Sequence, residues 1–125
     1  MKNKTVLVVD DSSLARMMMR NIVNQSFQDW DIVEAKDGQE GLDKAGAKPI
    51  DLALLDFNMP GMNGIDLAVK LREMNKETRI YLVTANVQEK MRQRADTIGV
   101  GFIMKPISKD KLTQAMAGIG TDGAG

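Results

Sequence analysis

Short apolar runs alternate along the chain with segments in which apolar residues recur every three or four positions. The short runs are rich in Val, Ile and Leu, as in strands that are buried on both faces of a sheet. They predict five strands, at Thr5–Val9, Asp31–Ala35, Ile50–Leu55, Ile80–Val83 and Phe102–Met104. Strict alternation of strands and helices is typical of an α/β fold in which helices cover both faces of a parallel sheet.

Polar residues that favour helix N-caps mark the starts of several helices. Ser12 and Ser13 begin a helix that extends to about Asn24, because a hydroxyl can accept a hydrogen bond from the first turn. Asp37 and Glu40 have the spacing of a capping box and open a second, short helix. The other helices are predicted to reach about Met74, to span residues 87–98 and to start at Ser108.

The predicted strands end on polar side chains that can carry chemistry. Asp10 and Asp11 follow the first strand, Asp56 follows the third, and Thr84 and Lys105 follow the fourth and fifth. In a doubly wound sheet with right-handed crossovers, the carboxyl ends of the strands share one edge, where ligands bind. The pattern therefore predicts that three carboxylates, a hydroxyl and an amine converge at one site.

Three carboxylates in one pocket repel each other, so either protons or a cation must neutralise them. An all-oxygen site favours a hard cation, and Mg²⁺ takes one or two carboxylates, keeps several waters and leaves room for phosphate oxygens. An aspartate in such a site is a candidate nucleophile toward a phosphoryl group, which would give an acyl phosphate. The amine of Lys105 could contact the same anion from the opposite side.

Composition narrows the possible functions. The chain has 125 residues, which suits one domain, and its 17 basic side chains balance 17 acidic ones. Without cysteine or histidine, it cannot build a disulfide scaffold, a Ser-His-Asp triad or a His-ligated metal site. Zero net charge and short apolar runs predict binding to neither nucleic acid nor membrane, and the expected location is the cytoplasm.

At its strand ends the chain resembles the receiver domain of two-component response regulators, and in particular the stand-alone chemotaxis type. The residues that carry the resemblance are Asp10-Asp11, the run LLDFNMPGMNG at 54–64, Val83-Thr84-Ala85 and Lys105-Pro106. The resemblance covers residues 4–119 and implies a flavodoxin-like sheet with strand order 2-1-3-4-5. It predicts a receiver domain over residues 1–119 and a Gly-rich tail at 120–125, with no separate output domain.

The resemblance also implies a role for each site residue. Asp56 would accept a phosphoryl group from a partner's phosphohistidine, because the chain has no histidine of its own. Asp11, Asp56 and the backbone carbonyl of Asn58 would ligate Mg²⁺, and Asp10 would act largely through water. Lys105 would pair with Asp56 and with the phosphoryl group.

Further positions are implied to respond to the phosphoryl group. Thr84 would hydrogen-bond a phosphoryl oxygen, and Phe102 would report activation by packing inward, or be an ordinary strand-edge aromatic. Asn86 and Asn58 occupy positions that influence dephosphorylation. The Lys105-Pro106 bond is implied to be cis. Taken singly, an Asp or Thr at a strand end could be only a helix cap, and a lysine there only a solvated charge.

The first helix predicts a surface for partners. One helical sector holds five apolar residues: Ala15, Met18, Met19, Ile22 and Val23. Met17 lies roughly opposite this sector and Leu14 lies on its border, so both are candidate contacts for kinases, phosphotransfer proteins and phosphatases. The alternative is that they are scattered surface hydrophobes. The basic helix with Lys90, Arg92 and Arg94 could form an output face with Phe102 or be a solvated surface.

Three functions remain open. The leading one is a monomeric, phosphorylation-switched module that binds a protein target, such as a flagellar switch component, in chemotaxis or motility. A phosphate sink or relay would share this chemistry without a target of its own. A Mg²⁺-dependent phosphatase is disfavoured because Asn58 cannot transfer a proton as an aspartate would. A flavodoxin-like FMN protein is disfavoured because Asp10 and Asp11 would repel its phosphate.

Overall fold

The computed structural model describes residues 4–116 and contains five strands and five helices in strict alternation. The strands are β1 (Lys4–Val9), β2 (Trp30–Ala35), β3 (Leu52–Asp56), β4 (Arg79–Thr84) and β5 (Gly101–Met104). The helices are α1 (Ser13–Ser26), α2 (Gly38–Ala47), α3 (Gly64–Met74), α4 (Glu89–Thr97) and α5 (Lys109–Met116). All paired strands are parallel, and their order is β2-β1-β3-β4-β5. The predicted fold class and strand order are confirmed.

Two hydrophobic layers hold the helices against opposite faces of the sheet. Alternate residues of β1 divide between them: Leu7 and Val9 face the layer formed with α2, α3 and α4, whereas Val6 and Val8 face the layer formed with α1 and α5. All four side chains are fully buried. Because β1 and β3 are buried on both faces, continuous apolar runs were the correct signal for these two strands.

The predicted N-caps are present. The Ser12 hydroxyl accepts a hydrogen bond from the amide of Ala15, and the Asp37 carboxylate accepts one from the amide of Glu40. Ser108 likewise caps α5. These caps fix where the helices leave the carboxyl edge of the sheet.

The third strand starts later than predicted. Ile50 and Asp51 precede the strand, although the Asp51 amide donates to the Thr5 carbonyl (2.9 Å) and the Asp51 carbonyl accepts from the Arg79 amide (3.0 Å). The Asp51 carboxylate also accepts a hydrogen bond from the amide of Thr5 (2.8 Å). The strand ends one residue later than predicted, so that Asp56 is its last residue.

The apolar sector predicted for α1 is narrower than expected. Met19 and Val23 are buried, but Met18 is 47% exposed. Met18 lies at the side of the helix, where it lines a groove with Pro106 and Ile107 instead of entering the core. The predicted surface residues Leu14 and Met17 are both exposed.

Two further points concern the extent of the chain. Within residues 4–116, no helix has the length and apolar character needed to cross a lipid bilayer. The predicted domain end at residue 119 and the predicted tail at 120–125 lie outside the described residues.

Gly64 allows the first turn of α3 to lie directly against the end of β3. Its amide donates a hydrogen bond to the carbonyl of Phe57 (3.1 Å), which closes the loop between strand and helix. A Cβ atom at position 64 would lie 2.8 Å from the carbonyl oxygen of Asp56 and 2.9 Å from a methyl carbon of Leu82. The backbone oxygen cannot move away without displacing Asp56, so only glycine fits.

We predict that Gly64→Ala lowers the free energy of unfolding by about 1–3 kcal/mol, because the added methyl group overpacks the end of β3. Urea titration followed by circular dichroism measures the change. Gly46→Ala is the matched control, because its Cβ would meet only the terminal carbon of Met74, at 3.8 Å. The control should be neutral or slightly stabilising. Equal effects of the two substitutions would contradict the packing argument.

Candidate functional site

The predicted convergence of polar side chains is present at the carboxyl edge of the sheet. Asp56 and Thr84 are the last residues of β3 and β4, while Asp10 and Lys105 directly follow β1 and β5. Backbone hydrogen bonds across the strand ends hold this edge, including one from the Lys105 amide to the Thr84 carbonyl (2.8 Å). The backbone of the sheet therefore sets the spacing of these side chains independently of their own interactions.

Three carboxylates crowd together at this edge. Each of Asp10, Asp11 and Asp56 offers an oxygen, and these oxygens lie within 4.8 Å of one another. Asp10 is 1% exposed and Asp56 is 5% exposed, whereas Asp11 is open to solvent. The Lys105 ammonium lies 3.2 Å from an oxygen of Asp56 and 3.9 Å from one of Asp10. This single cation leaves the cluster with an excess of negative charge.

Asp10 is the least satisfied member of the cluster. Its Oδ1 accepts a hydrogen bond from the Ser12 amide (2.9 Å), but its buried Oδ2 has no hydrogen-bond partner. Burial raises the pKa of Asp10, and the charges of Asp56 and Asp11 add to the rise. The Ser12 amide and the Lys105 ammonium oppose it. A cation close to Oδ2 would favour the ionised carboxylate and so oppose the rise in the pKa of Asp10.

Thr84 and Asn86 form a small turn beside the cluster. The Thr84 hydroxyl donates to the Asn86 carbonyl (3.2 Å) and accepts from the Asn86 amide (3.3 Å), and Thr84 is 2% exposed. Because α4 starts only at Glu89, Thr84 is not its N-cap. Asn58 lies on the loop after β3 with its side chain exposed.

Phe102 and the predicted partner residues lie outside the carboxylate cluster. Phe102 is half-buried on β5, and the Arg92 guanidinium carbon lies 5.9 Å from the centre of its ring. Arg92 of α4 therefore lies over the Phe102 ring. Leu14 and Met17 lie on α1.

The predicted cis bond between Lys105 and Pro106 is present.

Two residues near the site, Arg16 and Met18, make contacts that the sequence pattern does not predict. Arg16 donates a hydrogen bond from Nη1 to the backbone carbonyl of Asp10 (2.6 Å) and pairs through Nε with Glu34 on β2 (3.3 Å). The sequence shows a charged residue in the second strand, but no spacing rule links residues 16 and 34. Their contact was therefore not predictable from local sequence. Met18, which the sequence places in the apolar sector of α1, lines an apolar groove of about 380 Å³ between α1 and the loop after β5.

Comparison with known proteins assigns this arrangement to a family. The sequence profile of the response regulator receiver domain matches residues 6–117. The chain belongs to the response regulator receiver domain family. Receiver domains are signalling domains, and the acidic cluster lies at the strand ends that carried the resemblance in the sequence.

Individual relatives support the same assignment. The receiver domain is 30% identical over 115 residues to chemotaxis protein CheY of Thermotoga maritima, covering 90% of this chain and 94% of CheY. It is 34% identical over 109 residues to sensor protein EvgS of Escherichia coli strain K12, covering 86% of this chain but 9% of EvgS. A solved CheX-CheY-BeF3-Mg²⁺ complex from Borrelia burgdorferi is similar in structure, with 29% identity and a TM-score of 0.81. That match covers 90% of this chain and 86% of the other.

The relatives differ in length. The chain spans between 9% and 52% of several of the curated proteins that it matches, EvgS among them. It spans nearly all of the Thermotoga CheY. The comparison therefore shows the receiver domain and leaves the activity of any longer protein to experiment.

The raised pKa of Asp10 predicts a pH dependence for the metal-free receiver domain. Because the folded state holds the Asp10 proton more tightly than the unfolded state does, ionisation of Asp10 destabilises the fold as pH rises through the raised pKa. We expect Asp10→Asn to be more stable than the wild type at pH 7 in the presence of a chelator. This advantage should disappear as pH falls below the ordinary pKa of 3.8.

Urea midpoints measured between pH 3.5 and 7.5 test this expectation. Asp29→Asn, at an exposed position outside the site, is the control and should show no comparable advantage at pH 7. The expectation fails if Asp10→Asn is less stable than the wild type at neutral pH, or if its advantage does not shrink in acid.

Proposed function

We propose that this receiver domain accepts a phosphoryl group on Asp56 from a phosphohistidine of a sensor kinase or phosphotransfer protein. The observation that carries the proposal is the position of the Asp56 carboxylate. It is 5% exposed, lies 3.2 Å from the Lys105 ammonium and shares an edge with two further carboxylates. A carboxylate held among such groups is a nucleophile in a site built to neutralise an incoming phosphoryl group.

Each neighbour of Asp56 has a part in this reaction. Attack by the Asp56 carboxylate on phosphorus forms an acyl phosphate and releases the donor's imidazole. Lys105, already paired with Asp56, would follow the negative charge onto the phosphoryl oxygens. Thr84 would give up its long hydrogen bond to the Asn86 carbonyl and donate to a phosphoryl oxygen instead.

The site fits Mg²⁺. It offers only oxygen ligands, an excess of carboxylates over the single paired lysine, and a buried Asp10 oxygen without a partner. We infer that Asp11, Asp56 and the carbonyl of Asn58 hold the ion, with Asp10 contributing largely through water. When bound, Mg²⁺ supplies charge neutralisation and orientation of the phosphoryl oxygens.

Phosphorylation would act on partners through the surface of the same domain. We propose that Phe102 packs inward on phosphorylation and alters the face that it shares with Arg92. Asn58 and Asn86, whose side chains are exposed beside the site, would set the rate of dephosphorylation. Leu14 and Met17 would contact the kinase, the phosphotransfer protein or a phosphatase.

The proposed setting is a monomeric receiver of residues 1–119, with a tail at 120–125, that works in the cytoplasm in chemotaxis or motility signalling. Similarity to the Thermotoga CheY over nearly its whole length supports this setting. The output would be binding to a protein target such as a flagellar switch component. A phosphate sink or relay would use the same chemistry. The two functions differ in target binding, because only a regulator would have a target that the phosphorylated form captures and the unphosphorylated form does not.

Phosphorylation can be tested directly. We expect the protein, incubated with Mg²⁺ and acetyl phosphate, to gain the mass of one phosphoryl group, and Asp56→Asn to gain none. Lys105→Met should slow the reaction by at least tenfold, because it removes the charge that lies nearest to Asp56. Intact-mass spectrometry on quenched samples gives both results. A phosphoryl group on Asp56→Asn, or none on the wild type, would overturn the proposal.

The proposed partner surface on α1 predicts that a substitution there slows phosphoryl transfer from a protein donor but leaves the chemistry at Asp56 unchanged. We expect Met17→Gln to slow phosphoryl transfer from a phosphorylated histidine phosphotransfer protein by about fivefold, since loss of a central apolar contact costs roughly 1 kcal/mol. Its reaction with acetyl phosphate, which needs no docking, should be unchanged. Met74→Gln is the matched control, because Met74 is also half-exposed but lies at the far end of α3. Equal transfer rates for all three proteins would remove Met17 from the docking surface.

A further inference from the structure

One arginine joins the carboxylate cluster to the edge strand of the sheet. Arg16 is the fourth residue of α1, and its side chain is only 18% exposed. Its Nη1 donates to the backbone carbonyl of Asp10 at 2.6 Å, and its Nε lies 3.3 Å from an oxygen of Glu34 on β2. The guanidinium therefore bridges a backbone group at the site and a carboxylate on a neighbouring strand.

The carbonyl of Asp10 lies where the sheet stops providing partners. The pairing of β1 ends at Val9, which is opposite Ala35 on one side and Leu55 on the other. The amide of Asp10 still bonds to the Ala35 carbonyl (3.1 Å). Its carbonyl lies beyond the ladder, and Arg16 supplies the donor that a strand would otherwise supply.

The bridging arginine is itself held in place. Glu34 pairs with Arg16 through one carboxylate oxygen and with Arg20 through the other, at 2.7 Å. The two arginines are one helical turn apart on the same face of α1. Glu34 lies within β2, opposite Val8 of β1. Arg16 is thus anchored to a regular part of the sheet, and its planar fork of donors has little freedom to turn.

We propose that Arg16 is a positioning residue that fixes the Asp10-Asp11 peptide group so that both carboxylates face the Mg²⁺ site. The carbonyl of Asp10 and the amide of Asp11 belong to one planar peptide group, so holding the carbonyl also orients Asp11. Asp11 itself is exposed, and its orientation depends on this backbone. The inference rests on the proposed function, because it assumes that the cluster binds Mg²⁺.

Arg16→Gln tests the inference through metal affinity in the absence of any phosphoryl donor. We expect the dissociation constant for Mg²⁺, measured by isothermal titration calorimetry, to rise at least tenfold, as is typical when a group that orients a metal ligand is removed. Arg20→Gln is the matched control. It also loses an ion pair with Glu34, but it does not contact Asp10, so its Mg²⁺ dissociation constant should change by less than about threefold.

A double variant protects the test against loss of folding. Arg16→Gln leaves the Glu34 carboxylate with one partner fewer, whereas the combination with Glu34→Gln removes that charge and leaves the half-exposed Arg20 guanidinium without its ion pair to Glu34. The double variant should lose as much Mg²⁺ affinity as Arg16→Gln alone, because both lack the donor to the Asp10 carbonyl.

The outcomes are distinct. Wild-type affinity in Arg16→Gln or in the double variant would overturn the inference and leave the proposed function intact. An equal loss in Arg20→Gln would also overturn it, since the effect would then follow from the Glu34 ion pairs. If the wild type binds no Mg²⁺, both the inference and the Mg²⁺ dependence of the proposed function fail.

Discussion

Repulsion among the carboxylates of Asp10, Asp11 and Asp56 is the interaction to which the rest of the site is fitted. Two of them are buried, where a charge loses the solvation that would screen it. Within residues 4–116, Lys105 is the only cationic side chain that pairs with any of them. A site with this imbalance holds its charges apart only if the backbone under them is rigid, and a bound cation would offset its excess negative charge.

The parallel sheet provides that rigidity, and a few contacts extend it past the strand ends. Central strands buried on both faces fix the positions from which Asp10 and Asp56 leave the sheet. Beyond the ladder, Arg16 holds the Asp10 carbonyl, and Gly64 lets the start of α3 lie against the carbonyl of Asp56. These contacts use no atom of the clustered carboxylates. They leave the Asp10 Oδ2 without a hydrogen-bond partner while the backbone beneath it stays bonded.

At the opposite edge of the sheet, near the starts of the strands, polar groups form a hydrogen-bonded cluster of a different kind. There Arg72 donates hydrogen bonds to several backbone carbonyls, including those of Thr78 (2.6 Å) and Ile98 (3.2 Å). The Thr78 hydroxyl is buried and bonds to the carbonyl of Ile50 (2.7 Å). Donors and acceptors match at that edge, whereas like charges face each other at the carboxyl edge. Unmatched charge, more than burial or concavity, distinguishes the carboxyl edge from the opposite one.

The sequence by itself determined the strand and helix alternation, the caps at Ser12 and Asp37 and the set of polar residues at the strand ends. These follow from short-range periodicity and from the rule that parallel strands end at one edge. The tertiary structure alone decided how the charges balance. It placed Lys105 nearer to Asp56 than to Asp10, left one oxygen of Asp10 unpaired and turned Met18 out of the core. Such outcomes depend on distances between segments far apart in the chain, and no local pattern encodes those distances.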